Sequence, residues 1–144
     1  MARTILIING PNLNLLGRRE PGLYGAKTLD DVEKECRKTA AGLGLEVDFR
    51  QSNHEGELIG WIQDAHQRSA GIIINPAAYS HTSIGIHDAL RALDLPVIEV
   101  HISNIFARER YRHHSHVSAV ANGVICGLGS AGYTLALNAL NELI

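Results

Sequence analysis

Nowhere does the 144-residue sequence stay apolar for the roughly 20 residues that a membrane-crossing helix needs, so no membrane role is expected. Its first residues, MARTILIINGPN, lack the apolar stretch and small-residue site of a secretory leader. A charge excess is missing as well. Thirteen Lys and Arg stand against 15 Asp and Glu, for a net charge of -2, which leaves no electrostatic footprint for nucleic acid. The two cysteines, Cys36 and Cys126, have apolar neighbours and no metal-type spacing. They read as buried thiols of a reducing, cytoplasmic protein. The eight histidines contain no HExxH, and the adjacent His113 and His114 point apart, so no metal is expected. No GxGxxG or Walker A pattern follows the first predicted strand. The turn there is NGPN, whose proline removes a backbone donor that a phosphate cradle would use. No GxSxG nucleophile elbow is found.

Arginine is what the sequence does have. Ten of the 13 basic residues are arginine, and Arg108, Arg110 and Arg112 fall within five positions. The planar guanidinium fork suits carboxylates and phosphates. The hydrophobic pattern alternates strand and helix. TILIIN (4–9), GIIIN (71–75) and PVIEVH (96–101) read as buried strands. LEVDFRQ (45–51) alternates strictly and reads as an edge strand, and VANGVICGLG (120–129) completes five. Helices are predicted after Thr28, over 57–66, over 83–93 behind the cap Ser83, and over 130–143. This alternation predicts one α/β domain over residues 1–144: a flavodoxin-like three-layer sandwich, with a five-stranded parallel sheet in the order 2-1-3-4-5 and helices on both faces.

Ligands bind such sheets at the carboxyl ends of the strands. Those ends carry Asn9-Gly10-Pro11-Asn12, then Asn75-Pro76 followed by AYSHTS, then His101-Ile102-Ser103-Asn104 and the arginine cluster. In VIEVH, Val97, Glu99 and His101 share one strand face. Residues two apart on a strand lie about 6.5–7 Å apart, close enough for Glu99 to orient His101 as a general acid. The loop GRREPGLYG (17–25) has glycines to hinge, two arginines and Tyr24. A tyrosine acting as base near neutral pH needs its pKa of about 10 lowered by roughly 2–3 units, or about 3–4 kcal/mol. A cation about 4 Å away supplies about 1 kcal/mol in water and about 4 kcal/mol at an effective dielectric near 20. An arginine therefore suffices only on a lid that excludes water. Base, acid and anion-binding arginines together describe an elimination. A flavodoxin-like binding or signalling module is the alternative; it would show an acidic pocket or a phosphate loop at strand one, and the sequence has neither.

INGPNLNLLGRREPGLYG, QSNHEGELI, INPAAYSHTSIGIHDAL, EVHISN and GVICGLGSAGYTLAL together resemble type II 3-dehydroquinate dehydratase, over essentially the whole chain. The resemblance implies dehydration of 3-dehydroquinate with neither metal nor organic cofactor. It implies Tyr24 as the base at C2, with Arg19 holding it as tyrosinate and Arg108 assisting. Asn12 would stabilise the enolate through ordered water, and His101, backed by Glu99, would protonate the departing hydroxyl. Asn75, His81, Arg112, Ile102 and Ser103 would hold the substrate. Asp88 would be supplied across a subunit contact, in a homododecamer of four trimers. Phe106 and His87 depart from the family pattern, where histidine and arginine are usual.

Overall fold

A computed structural model describes residues 2–18, 20, 22 and 25–144. Its strands are β1 (Arg3–Asn9), β2 (Leu45–Gln51), β3 (Gly71–Asn75), β4 (Val97–His101) and β5 (Gly123–Cys126). They pair in parallel in the order β2-β1-β3-β4-β5, with β2 and β5 at the edges. Between and after them run α1 (Leu29–Gly42), α2 (Glu55–Arg68), α3 (Ile84–Arg91) and α4 (Ala131–Leu143). This is the predicted flavodoxin-like arrangement.

Strand alternation builds a core on each face. Ile5, Ile7, Ile73, Ile98 and Val100 pack on one side against Val32, Cys36 and Ala40 of α1 and Tyr133, Ala136, Leu137 and Leu140 of α4. Leu6, Ile8, Ile72, Ile74 and Val97 face the other way, onto Leu58, Ile62 and Ala65 of α2 and Ile86, Ala89 and Leu90 of α3. A capping box opens α1, the helix predicted after Thr28. The Thr28 hydroxyl accepts from the Asp31 amide at 3.2 Å and the Asp31 carboxylate from the Thr28 amide at 3.0 Å. Ser83 likewise caps α3 through the Ile86 amide at 2.9 Å.

Two expectations are corrected. The last strand covers only 123–126 of the 120–129 predicted, because Val120 and Ala121 bond back to Val117 in a turn while Gly127 and Gly129 take positive φ. Cys36 is buried, and burial raises its thiol pKa to about 12, but Cys126 lies on the edge strand and is only half-buried. No described helix is long and apolar enough to cross a membrane.

The first and third strand ends are brought together at Gly10. Its amide donates to the Asn75 carbonyl at 2.8 Å, and a Cβ placed on it would lie 2.4 Å from the Pro76 carbonyl oxygen. Only backbone without a side chain fits there. Gly10→Ala should therefore lose about 1–3 kcal/mol of stability through forced backbone displacement. Urea unfolding of the variant checks this, and wild-type stability would show that the two loops yield at no cost.

Candidate active site

The carboxyl ends of β1, β3 and β4 surround one cavity, lined by Asn12, Asn75, His81, His101, Ile102, Ser103, Arg108 and Arg112 together with Pro11, Leu13, Ala77, Ala78 and Ile105. Of the predicted site residues, Asn12, Asn75, His81, His101, Ile102, Ser103 and Arg112 thus converge. Glu99 stands immediately behind them. Tyr24 and Arg19 lie outside the described residues. Asp88 does not reach this cavity. It is exposed on α3, where its carboxylate meets the His87 ring at 2.9 Å, beside Ile59, Gln63 and His66 of α2.

Glu99 and His101 are held as a pair. Glu99 is 0% exposed and His101 5%, and the imidazole Nε2 donates to the carboxylate at 2.5 Å. Two further donors complete the shell: Ser115 Oγ at 2.7 Å and Ser118 Oγ at 2.5 Å. Burial penalises the charged carboxylate, but donation from His101 and Ser118, the field of His101 and donation from Ser115 outweigh it, and the Glu99 pKa is lowered. Nε2 is thereby committed to Glu99, and Nδ1 is the ring nitrogen left for the cavity. Ser115 is itself fixed, since its hydroxyl accepts from the Val117 and Ser118 amides. Neither serine was singled out from the sequence. They lie 16 and 19 residues from Glu99, in a segment without periodicity.

His81 stacks near His101, with ring centroids 6.4 Å apart and planes 16° from parallel. Its Nδ1 lies 2.8 Å from the His114 carbonyl oxygen, which can only accept, so Nδ1 carries the proton. Partial burial lowers its pKa, the nearby His101 and Arg112 act the same way, and the His114 carbonyl opposes them. The neutral ring therefore offers Nε2 as an acceptor. Asn12 is held in a left-handed conformation (φ 69°) by its amide donating to Asn53 Oδ1 at 3.0 Å. Asn53, on the β2–α2 loop, also accepts from Gln51 and, through its carbonyl, from the Tyr79 hydroxyl at 2.7 Å. Ser103 Oγ accepts from Arg108 at 3.2 Å. Arg112 donates to Glu109 and lies with its guanidinium carbon 5.0 Å from the Tyr111 ring centre.

The segment GLGSAG (127–132), running from β5 into the first turn of α4, has the glycine spacing of a nucleotide loop, but its glycine amides are bonded within the protein. Gly127 donates to the His101 carbonyl at 3.2 Å and Gly129 to the Ile102 carbonyl at 3.1 Å. The glycines therefore secure the end of β4, where the histidine sits. Among the described residues no group of three or more His, Cys, Asp or Glu is placed to hold a metal ion.

Comparison with known proteins identifies the family. The family model described as Dehydroquinase class II matches residues 3–141. The chain belongs to the class II dehydroquinase family. A 3-dehydroquinate dehydratase of Brucella canis is 63% identical over 140 residues, which are 97% of this chain and 89% of the relative. The crystal structure of the type II dehydroquinase of Propionibacterium acnes superposes with a TM-score of 0.95 at 51% identity, covering 99% of this chain and 98% of that one. That of Butyrivibrio crossotus gives 0.95 at 44% identity, covering 97% and 98%. The segments INPAAYSHTS and EVHISN, on which the resemblance rests, supply Asn75, Ala77, Ala78, His81, His101, Ile102 and Ser103 to the cavity lining.

Because the folded state lowers the Glu99 pKa, its hydrogen bonds stabilise the protein above the ordinary carboxylate value of 4.5. That contribution is lost as pH falls through the lower folded value. Glu99→Gln should accordingly show a flatter decline of stability in acid than wild type, read by urea unfolding at neutral pH and across the acid range. Parallel declines would mean that Glu99 is not ionised in the native protein.

Proposed function

We propose that this protein dehydrates 3-dehydroquinate to 3-dehydroshikimate, as a cytoplasmic hydro-lyase. The buried Glu99–His101 pair at the floor of an arginine-bordered cavity is the observation that carries the reading. Tyrosinate at Tyr24, activated by Arg19 with Arg108 assisting, takes a proton from C2. The C2–H electron pair moves toward the C3 carbonyl to give an enolate, whose oxygen is stabilised by Asn12 through ordered water. The enolate collapses to form the C1–C2 double bond, while His101 protonates the C1 hydroxyl as the C–O bond breaks and water leaves. Tyr24 has then gained one proton and His101 has lost one, and exchange with solvent resets both. Asn75, His81, Ile102, Ser103 and Arg112 orient the ring hydroxyls and carboxylate. A neutral His81 presenting Nε2 suits a hydroxyl donor, and the Arg112 fork suits a carboxylate.

The product is a conjugated enone, so incubation with 3-dehydroquinate should raise ultraviolet absorbance, whereas a binding module would give no such signal. His101→Ala and Tyr24→Phe should each lower turnover by at least about 10²-fold, the usual worth of a positioned acid or base. Near wild-type rates in either variant would remove that residue from the mechanism.

Asp88 enters the proposal through assembly. It is far from the cavity of its own chain, so a neighbouring subunit would deliver it, in a dodecamer of four trimers. Sedimentation should show a large symmetric oligomer of 15.6 kDa subunits. A fully active monomer would exclude that role for Asp88.

A further inference from the structure

Behind the cavity, a chain of buried polar groups crosses four elements. Asn9 at the end of β1 and Asn75 at the end of β3 are register partners on the same face of the sheet, and Tyr133 of α4 lies under both. All three are almost inaccessible: Asn9 and Tyr133 are 0% exposed and Asn75 is 2%. Asn9 Nδ2 donates to the Arg50 carbonyl of β2 at 3.0 Å. The Tyr133 hydroxyl donates to Asn9 Oδ1 at 2.7 Å and accepts from Asn75 Nδ2 at 2.9 Å. Asn75 Oδ1 accepts from the Ala77 amide at 3.1 Å.

The direction of this chain is forced from both ends. The Arg50 carbonyl can only accept, so Asn9 must turn its NH₂ toward it and its oxygen toward Tyr133. The phenol must then donate to Asn9, which leaves its oxygen as an acceptor for Asn75. At the other end the Ala77 amide can only donate, so it requires the Asn75 oxygen. Both requirements select the same orientation of the Asn75 amide. One Nδ2 hydrogen of Asn75 is used on Tyr133. Among the described residues the second has no acceptor, and Asn75 lines the cavity. Buried in this way, the phenol stays protonated, since burial raises its pKa far above the usual tyrosine value.

We propose that Tyr133 is a positioning and specificity residue: by locking the Asn75 amide, it makes Asn75 present an N–H donor to the substrate and so selects an acceptor oxygen, a carboxylate or hydroxyl lone pair, at that point of the ring. This rests on the reading that Asn75 contacts substrate. With the phenol oxygen gone, the Asn75 NH₂ loses its buried acceptor. Only the Ala77 amide then opposes a flip that would turn the Asn75 oxygen toward the ligand, where it would repel an acceptor.

Steady-state kinetics of the full-length protein with 3-dehydroquinate test this through a double-mutant cycle of Tyr133→Phe and Asn75→Ala. Tyr133→Phe should raise KM by about tenfold with kcat little changed, the scale of one lost hydrogen bond in a desolvated site. In the Asn75→Ala background the same change should raise KM no further. A Tyr133→Phe enzyme with a lowered melting temperature and wild-type KM would overturn the proposal, leaving the tyrosine as core packing. So would an equal KM increase in both backgrounds. If Asn75→Ala leaves KM unchanged, both the substrate contact of Asn75 and the role of Tyr133 fall. A wild-type protein that forms no enone would instead sink the dehydratase reading. Should Tyr133→Phe fail to fold, Asn9→Ala removes the acceptor that directs the phenol proton while leaving the cavity lining intact. It should raise KM similarly, and an unchanged KM would overturn the proposal.

Discussion

A carboxylate with no solvent contact, in the middle of a parallel sheet, stays ionised only if donors surround it. Glu99 imposes that constraint, and much of the molecule answers it. His101 supplies one donor from the same strand, and Ser115 and Ser118 supply two from a segment that crosses back over the sheet. That segment is kept in place by the Ser115 turn, by Val117 buried in the second core, and by the His116 amide donating to the Ser80 carbonyl at 2.8 Å. The same path brings the His114 carbonyl to His81 and sets its tautomer. Satisfying one buried charge therefore orients two cavity histidines.

The rim combines two buried polar systems on opposite faces of the sheet. Glu99 and His101 point toward the α2 and α3 side, whereas Asn9 and Asn75 point toward α4. Alternation along parallel strands allows this without disturbing either apolar core: β1 and β3 change from isoleucine to asparagine only at their last residue, and β4 carries Glu99 and His101 on the face opposite Ile98 and Val100. The positive-φ residues Asn12 and Ala77 then turn the chain sharply away from β1 and β3. Their amides are held by Asn53 and Asn75. The cavity is thus bordered by backbone whose hydrogen bonds are already committed, which limits how far its side chains can drift.

The strands, helices and strand order were legible because each buried strand is a short β-branched run and each helix carries an apolar stripe, and these patterns are local. The pairing of Glu99 with His101 was legible for the same reason: two residues on one strand face are neighbours whatever the rest of the chain does. The motifs that carry the resemblance marked the cavity residues at the ends of β1, β3 and β4, and the arginine cluster marked Arg108 and Arg112. The short extent of β5 was not legible, since the turn at 117–121 and the glycines at 127 and 129 compete with strand pairing through bonds to residues elsewhere. The exposure of Cys126 follows from its place on the edge strand.

The sequence by itself determined the alternation of elements, the faces on which Glu99, His101, Asn9 and Asn75 lie, and the concentration of polar residues at the strand ends. Only the tertiary structure decided which distant groups meet them. Ser115 and Ser118 reach Glu99, Asn53 reaches Asn12, and Tyr133 reaches Asn9 across a separation of 124 residues and Asn75 across 58. Tyr133 on an apolar helix reads as another core residue, and its hydroxyl acquires a meaning only when the sheet presents an acceptor and a donor to it. The physical reason is that hydrophobic periodicity is written into neighbouring residues, whereas the satisfaction of a buried hydrogen bond depends on whichever segments the packed core brings within about 3 Å.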